Sequence, residues 1–515
     1  MTISVTDAAL DMEKKAINRC TRRNPFRSWP AWLFCIVFLT SFTGFYIIWC
    51  TNVYNNYLLS QMELRNGTNS FKWWLQPPFS LMYKIHVFNY TNVDKFESGV
   101  DEKLRVQELG PYIYAEKLNR VNVAMNEDDT VTYQDKRSYE WLSGSPEDDV
   151  VVVPNVPLLF ATAFARDLSF PMRWVIRTTL QSLHERPFIN ETVGGFLWGY
   201  DTKLFDIAKP FMMLQRDIPF DKFGLLAIKK GIDKNRITVN TGSQDFDKLG
   251  IIEKINGKDN REIWGDERCD KIGGTNGNMF PPYVVKNTSE TIYVYSKEIC
   301  RKLPFDFAEQ VTVFDMPSLR YKIKPDTFNC STAQNDCFCP REQDNSRICP
   351  PAGLFNISAC SDNAPLLTSF PHFYGGDKSL LKLVDGLNPR QEDHESFLDL
   401  HPRLAMPISG WSRLQMNIEI RQARIVPVLG NLKDGMILPL IWIETGVDDL
   451  PESVIDVIHA AHFTANTVEN VLQWCTLIIM ILSLSALVAC FWKYRMEQDT
   501  DVLRKSLSVQ NTLLA

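Results

Sequence analysis

Two uncharged apolar runs stand at opposite ends of the chain, Trp29 to Cys50 and Val471 to Trp492, each 22 residues long. A helix needs roughly 20 residues to cross the hydrocarbon core of a bilayer. Lipid offers a backbone amide no hydrogen-bond partner, so each run is expected to be a transmembrane helix. Lys14, Lys15, Arg19, Arg22, Arg23 and Arg27 precede the first run, and Lys493, Arg495, Arg504 and Lys505 follow the second. Basic flanks stay in the cytosol. The expected organisation is a cytosolic tail at 1–28, a first span at 29–50, an extracellular or lumenal region at 51–470, a second span at 471–492 and a cytosolic tail at 493–515. A cleaved signal peptide fits less well. Its apolar stretch is about 7–15 residues and leads to a small-residue cleavage site, whereas this run is longer and leads into TNVYNNYLL.

Two patterns agree with an oxidising, lumenal middle. Asn-x-Ser/Thr sequons occur at Asn66, Asn89, Asn190, Asn287, Asn329 and Asn356, all between the apolar runs. Of the 12 cysteines, Cys269, Cys300, Cys330, Cys337, Cys339, Cys349 and Cys360 cluster between positions 269 and 360. Clustered cysteines in such a compartment form disulfides. A metal site is the other reading, but no CxxC pair occurs, and thiolates there would oxidise. The apolar and charged fractions, 45% and 23%, are those of a globular protein, and the net charge of −6 argues against a nucleic-acid partner.

Between the spans, short β-rich pieces recur, separated by Gly, Pro, Asn and Asp. They include LMYKIHVFNYT, VTYQDKRSYEWL, NRITVNTG and MILPLIWIETG. Arg413 to Ile420 alternates as a half-buried strand does. Helix is expected over Leu158 to Leu183, with a break near Pro171, and over Glu452 to Glu469, leading into the second span. There is no GxSxG, HExxH or phosphate-loop motif. Gly273, Gly274 and Gly277 read as a turn. His459 and His462 form HxxH on a helix, more simply a polar stripe than a metal pair. His394 and His401 flank the acidic EDHESFLDLH. That stretch reads as a pH-sensitive patch or, more simply, as surface and turn residues. The pattern predicts a protein that binds or moves something, with no enzymatic activity, no cofactor and no metal.

Several segments carry a resemblance to one family. They are Gly110 to Glu116 (GPYIYAE), Phe196 to Tyr200 (FLWGY), Phe223 to Leu226, Asn256 to Lys258 and Cys269 to Thr275, then Ser369 to Tyr374 (SFPHFY), Asp385 to Pro389, Asp393 to Glu395 and Leu398 to Leu400. In them the chain resembles the class B scavenger receptors, which include fatty-acid and lipoprotein receptors and the lysosomal integral membrane protein. The resemblance implies a membrane-anchored α+β fold. Its ectodomain would be β-rich, antiparallel and barrel-like, capped by an apical helical bundle and crossed by an apolar tunnel. It implies the pairs Cys269–Cys337, Cys300–Cys360 and Cys339–Cys349. Cys330 departs from that pattern: it is either a free thiol or displaces a neighbour. Where the fatty-acid-binding members carry a lysine, this chain has Ser182, with His184 and Arg186 the nearest basic groups. These two are candidates for meeting an anionic lipid head, or are solvated.

The function implied is a scavenger receptor that binds lipid or lipoprotein and passes lipid through the tunnel to the membrane. The alternative is a recognition receptor for apoptotic cells or microbes, or a lysosomal enzyme-sorting receptor. Expected partners are fatty acid, sterol ester or carotenoid, lipoproteins or cell-surface ligands and the bilayer. A homo-oligomer is compatible. Trp73 and Trp74 are placed either at the headgroup level or in the globule. Cys20 and Cys490 are candidates for palmitoylation. The chain ends Thr512-Leu513-Leu514-Ala515, close to an acidic-dileucine signal but with Val509 at the acidic position. The expected residence is the plasma membrane, with endosome or lysosome second.

Overall fold

The computed structural model describes residues 29–213, 220–340, 347–361, 363–423, 426, 428, 429–447 and 450–513. The chain divides into two compact units. One is built from the chain up to Leu58 and from Asp456 onward, and the other is Leu59–Ile455. The unit holding the strands is thus narrower than 51–470, because the short helix Val53–Ser60 lies largely with the terminal helices.

In the first unit, helix Trp29–Cys50 packs on helix Ala465–Leu513. Two helices here are long and apolar enough to cross a membrane. Gly44 permits close approach: a Cβ there would lie 3.3 Å from Thr476 Cγ2. Small residues at such a contact let helix backbones approach in lipid, where packing rather than the hydrophobic effect holds helices together. The Trp49 indole N–H donates to the Gln473 carbonyl at 3.2 Å, and the Tyr54 hydroxyl donates to the Ala465 carbonyl at 2.9 Å. The Ala465–Leu513 helix is 49 residues long, roughly 70 Å at 1.5 Å per residue. It continues past Trp492 because MEQDTDVLRKSL contains neither proline nor glycine to stop it.

The second unit is dominated by a sheet. Its strands are β1 (Leu81–Tyr90), β2 (Leu104–Met125), β3 (Thr130–Gly144), β4 (Val150–Pro154), β5 (Phe188–Thr192), β6 (Gly231–Ile232), β7 (Ile237–Asn240), β8 (Ile252–Ile255) and β9 (Ile292–Ser296). They continue with β10 (Arg301–Val313), β11 (Met316–Ile323), β12 (Phe355–Asn356), β13 (Leu366–Ser369), β14 (Val384–Asp385), β15 (Phe397–Leu400), β16 (Pro407–Glu419) and β17 (Ile437–Gly446). Among the described residues, 15 of them join one sheet along the path β8-β7-β3-β2-β1-β17-β16-β15-β11-β10-β9, and β4 and β5 pair separately. Pairing along the path is antiparallel. The core lies on alternate residues: Tyr83, Ile85 and Val87 of β1 and Tyr112 and Tyr114 of β2 are buried, as the two-residue period of a strand requires.

The two outer strands of this path do not end as free edges. Thr275 bridges Ile251, just before β8, and Val294 of β9. The Tyr295 N–H donates to the Thr275 carbonyl at 2.7 Å, and the Thr275 N–H to the Tyr293 carbonyl at 3.0 Å. An unpaired edge invites association with other chains, and this link satisfies both edges locally. Gly274 makes it possible. Its φ is +76°, and a Cβ would sit 2.5 Å from the Tyr293 carbonyl oxygen.

Gly274→Ala is expected to destabilise the protein by about 2 kcal/mol or more. Gly257 has a similar φ of +80° but open space around it, so Gly257→Ala should cost only about 1 kcal/mol. Thermal unfolding of the two variants in detergent separates steric blockage from backbone strain; equal losses would remove the special role of the Thr275 bridge.

Candidate functional site

Three helices of the second unit pack on one another: Val156–Arg166, Phe170–Leu183 and Lys203–Met213. The expected helix over 158–183 is two helices. The chain breaks at Asp167–Ser169, and Pro171 falls in the first turn of the second helix, where a missing N–H costs nothing. Asn155 caps the first helix: its Oδ1 accepts the Leu158 N–H at 3.2 Å. Its Nδ2 donates to Glu185 Oε2 at 2.8 Å and to the Arg186 carbonyl at 3.0 Å, tying the start of one helix to the end of the next.

The outer surfaces of these helices are apolar. Phe164, Phe170, Met172, Trp174, Val175, Ile207 and Met213 are all exposed, Phe170 at 64% and Trp174 at 55%. Phe170 and Trp174 are four residues apart, so they share a helix face, and Pro171 and Val175 extend it. His184 caps the C-terminus of the second helix in a left-handed conformation (φ 52°), with Nδ1 3.1 Å from the Ser182 carbonyl. Arg186 follows, exposed. Ser182 donates its hydroxyl to the Thr179 carbonyl at 2.8 Å. The two basic candidates therefore stand at the surface of the helical cluster. An open cleft of about 990 Å³ elsewhere in the unit is lined by Glu127, Asp128, Lys234, Arg236 and Lys254, among others. A hydrocarbon chain would leave those charges without water.

His394 and His401 are buried, at 2% and 0% exposure, which overturns their reading as surface residues. His401 Nδ1 accepts the N–H groups of Arg403 and Leu404. His394 belongs to a polar cluster that sequence reasoning missed. Glu108 on β2 accepts from His86 of β1 (2.7 Å to Nδ1), from His372 (2.8 Å to Nε2) and from the Trp442 indole on β17 (3.2 Å). His86 stacks on Trp442, centroids 3.8 Å apart, and His372 stacks on His394 at 4.7 Å. The free ring nitrogens hold one loop: the Asn388 N–H donates to His372 Nδ1 at 3.1 Å, and the Arg390 N–H to His394 Nδ1 at 2.9 Å. Burial pushes the Glu108 carboxyl up, but the hydrogen bonds from His372 and His86 outweigh it and hold the group well below the usual carboxylate range. Burial, with His372 beside it, pushes His394 down to about 4, against the pull of Glu108 and Asp393.

The disulfides are Cys269–Cys337, Cys300–Cys360 and Cys339–Cys349, with Cys330 free and buried. Asn66, Asn190 and Asn287 are exposed, whereas Asn89, Asn329 and Asn356 are half-buried. The Asn89 Oδ1 accepts the Val152 N–H at 2.9 Å. Trp74 is buried, edge-on to Tyr133 at 4.8 Å and beneath the Arg120 guanidinium, and Trp73 is half-buried. Cys490 is a half-buried free thiol on the long C-terminal helix. Cys20 lies outside the described residues.

The model of the CD36 family matches residues 32–491. The chain is 30% identical over 403 residues to scavenger receptor class B member 1 of Sus scrofa, covering 77% of this chain and 76% of the relative. It is 30% identical over 393 residues to lysosome membrane protein 2 of Homo sapiens, covering 75% of this chain and 79% of the relative. The Rattus norvegicus scavenger receptor class B member 1 is 31% identical over 398 residues, 75% of each chain.

A prediction follows from the His394 shift. Its folded pKa of about 4 lies below the unfolded value near 6.5, so the unfolded chain binds more protons between those values. Stability from this group is complete above pH 6.5, declines as pH falls toward 4 and loses nothing further below. Glu108, also depressed, adds a loss only below about pH 4.5. Asn at 394 can accept the Arg390 N–H without titrating, so His394→Asn should flatten the unfolding midpoint against pH between 6.5 and 4.5. An unchanged slope there would assign the acid sensitivity to other groups.

Proposed function

This chain belongs to the CD36 family, and from that premise we propose that it is a two-pass scavenger receptor which docks lipids or lipoproteins on the exposed face of its helical cluster. CD36-family receptors are non-enzymatic. The observation that carries the proposal is the exposed row Phe170, Pro171, Trp174 and Val175. Contiguous exposed aromatic side chains are costly in water and mark binding surfaces. Arg166, His184 and Arg186 at the ends of the helices supply donors for an anionic head. Aromatic faces with flanking cations suit a lipid or lipoprotein surface, where rings enter the acyl boundary and cations meet phosphates.

Transfer of the lipid inward is the second half of the proposal. A tail resists leaving apolar surroundings by about 0.8 kcal/mol per CH₂, so a dry route to the bilayer lowers the barrier without chemistry. The strand path that returns on itself through Thr275 supports a closed, barrel-like wall for such a tunnel. The helical cluster corresponds to the apical bundle of this reading. Both tails are placed in the cytosol and the sequons and disulfides on the outer side, with residence at the plasma membrane, or second in endosomes or lysosomes.

Replacing Phe170 and Trp174 together by Asp changes only exposed side chains, so folding should survive. Each loses about 1.5–3 kcal/mol of apolar burial on docking, so binding of labelled lipoprotein to expressing cells should fall at least tenfold. Unaltered binding would remove the helical face as the docking site. Mass spectrometry of lipid retained by the purified full chain tests the conduit separately; a chain that retains no lipid would leave docking without transfer.

A further inference from the structure

Strand β3 is covered along only part of its outer edge. β7 pairs with Thr130–Tyr133 and β6 with Lys136 and Arg137, both antiparallel. From Ser138 to Gly144 the strand pairs with β2 on one side and, among the described residues, with no strand on the other. The chain leading into β6 does not fill the gap. It forms the short 3-10 turn Ala227–Lys229, and just before it the Leu226 N–H donates to the Leu197 carbonyl at 2.8 Å.

Backbone groups of an antiparallel strand face alternately one neighbour and the other. The Asp135 carbonyl faces β6, where it accepts the Asp233 N–H at 2.8 Å, and Arg137 pairs with Gly231. The same alternation turns the N–H and C=O of Tyr139 and Trp141 to the open side, where no described residue bonds them. The side chains there are apolar and exposed: Trp141 and Leu142 on β3, Ile228 just before β6 and Ile232 within it. Glu140 is held by Lys117 at 2.7 Å. At the β6 end, Lys136 and Lys230 form no ion pair among the described residues; the Lys230 ammonium lies over the Trp198 ring at 4.4 Å.

We propose that the outer edge of β3 from Ser138 to Leu142 is a docking site for an extended segment of a partner protein, apolar at alternate positions and acidic at its C-terminal end, which joins the sheet as a strand in line with β6. Unpaired donors and acceptors at strand spacing are matched by another extended backbone. A helix has already bonded its own backbone, and a lipid tail has no hydrogen-bonding groups to offer. β6 and β7 set the direction. A strand antiparallel to β3 and collinear with β6 ends beside Gly231, so its last residues meet Lys136 and Lys230. Its apolar side chains lie beside Trp141 and Leu142 as cross-strand neighbours do. The register shift opposite Ile113 and Tyr114 ends the regular ladder after Trp141, so the site takes a short segment rather than a long one.

The test uses the full chain in mild detergent and a fluorescein-labelled peptide of roughly six residues, the usual strand length, alternating valine and threonine and ending in glutamates. The expected result is saturable binding by anisotropy. Methylating alternate amide nitrogens of the peptide should weaken binding at least tenfold in one phase and spare it in the other, because every second amide faces β3. Trp141→Pro removes an N–H that bonds nothing in the chain and is tolerated on a strand edge; it should cost at least tenfold too. Lys136→Glu with Lys230→Glu should turn the preference to a peptide ending in lysines. No binding, equal binding of both methylated phases or undiminished binding by Trp141→Pro overturns the proposal. So does a disulfide between two copies of Leu142→Cys formed without peptide, which would give the edge to a second copy. Should Trp141→Pro fail to fold, the two methylated peptides on the wild-type chain decide.

Discussion

A carboxylate partly withdrawn from water needs partners for its lone pairs, and Glu108, its side chain 32% exposed, has three donors from three parts of the chain. His86 belongs to β1, Trp442 to β17 and His372 to the segment before β14. Those strands are the centre of the sheet path, so one side chain draws its central strands and a loop to a common point. Water still reaches Glu108, so losing one donor costs about 1.5–3 kcal/mol, the worth of a hydrogen bond to a charged group, while His372, His394 and Trp442 around it are buried. His372 is itself held in a left-handed conformation, its N–H bound at 2.7 Å by Gln415 Oε1 of β16. The loop through Asn388 and Arg390 then hangs from the outer nitrogens of two imidazoles. A protonated imidazole has no lone pair to accept an N–H, so acid strong enough to protonate His394, lowered by burial to about 4, releases the Arg390 N–H from this loop.

Little of that cluster was legible in the sequence. His86 and Trp442 are unremarkable on alternating strands, and 334 positions separate Glu108 from Trp442. No local period links them. What was legible is what depends on local composition. The apolar runs at the termini exclude water-exposed helices by their lack of charge, and all but Ile420 of the alternation from Arg413 lies on β16, where the polar Arg413, Gln415 and Asn417 are buried and Leu414 and Met416 only half-buried. The proline at 171 marked a break, yet not its direction. Proline ends one helix and starts the next equally well, and only the packing of the two helices shows which. For cysteine pairing, spacing left the alternatives open, and the pairs implied by resemblance are those joined in the structure. The buried state of His394 and His401 was misread because an acidic stretch suggests surface, whereas Asp399 between them is fully buried on two bonds of 2.8 Å from Arg320.

The exposed row on the helical cluster is the counterpart of this sealed interior. Strand β2 places Tyr112 and Tyr114 inward with bonded hydroxyls, Tyr112 to Asp149 and Tyr114 to Glu147. Phe170 and Trp174 have no such burial, although the Lys203–Met213 helix packs nearby. A chain that satisfies Glu108 with three donors, yet leaves a tryptophan more than half exposed, pays for that surface in solubility. Each ring is worth about 1.5–3 kcal/mol once covered, so the two supply about 3–6 kcal/mol, short of the roughly 8 kcal/mol of a micromolar complex and of the added cost of association; on the docking proposal the rest of the row and its flanking cations make up the difference. The sheet holds most of the buried core, while Asn155 ties the helices of the cluster to one another, leaving the row exposed on their surface. On the docking proposal, recognition and structural integrity fall to different elements of one unit, and the exposed row can change without disturbing the buried core.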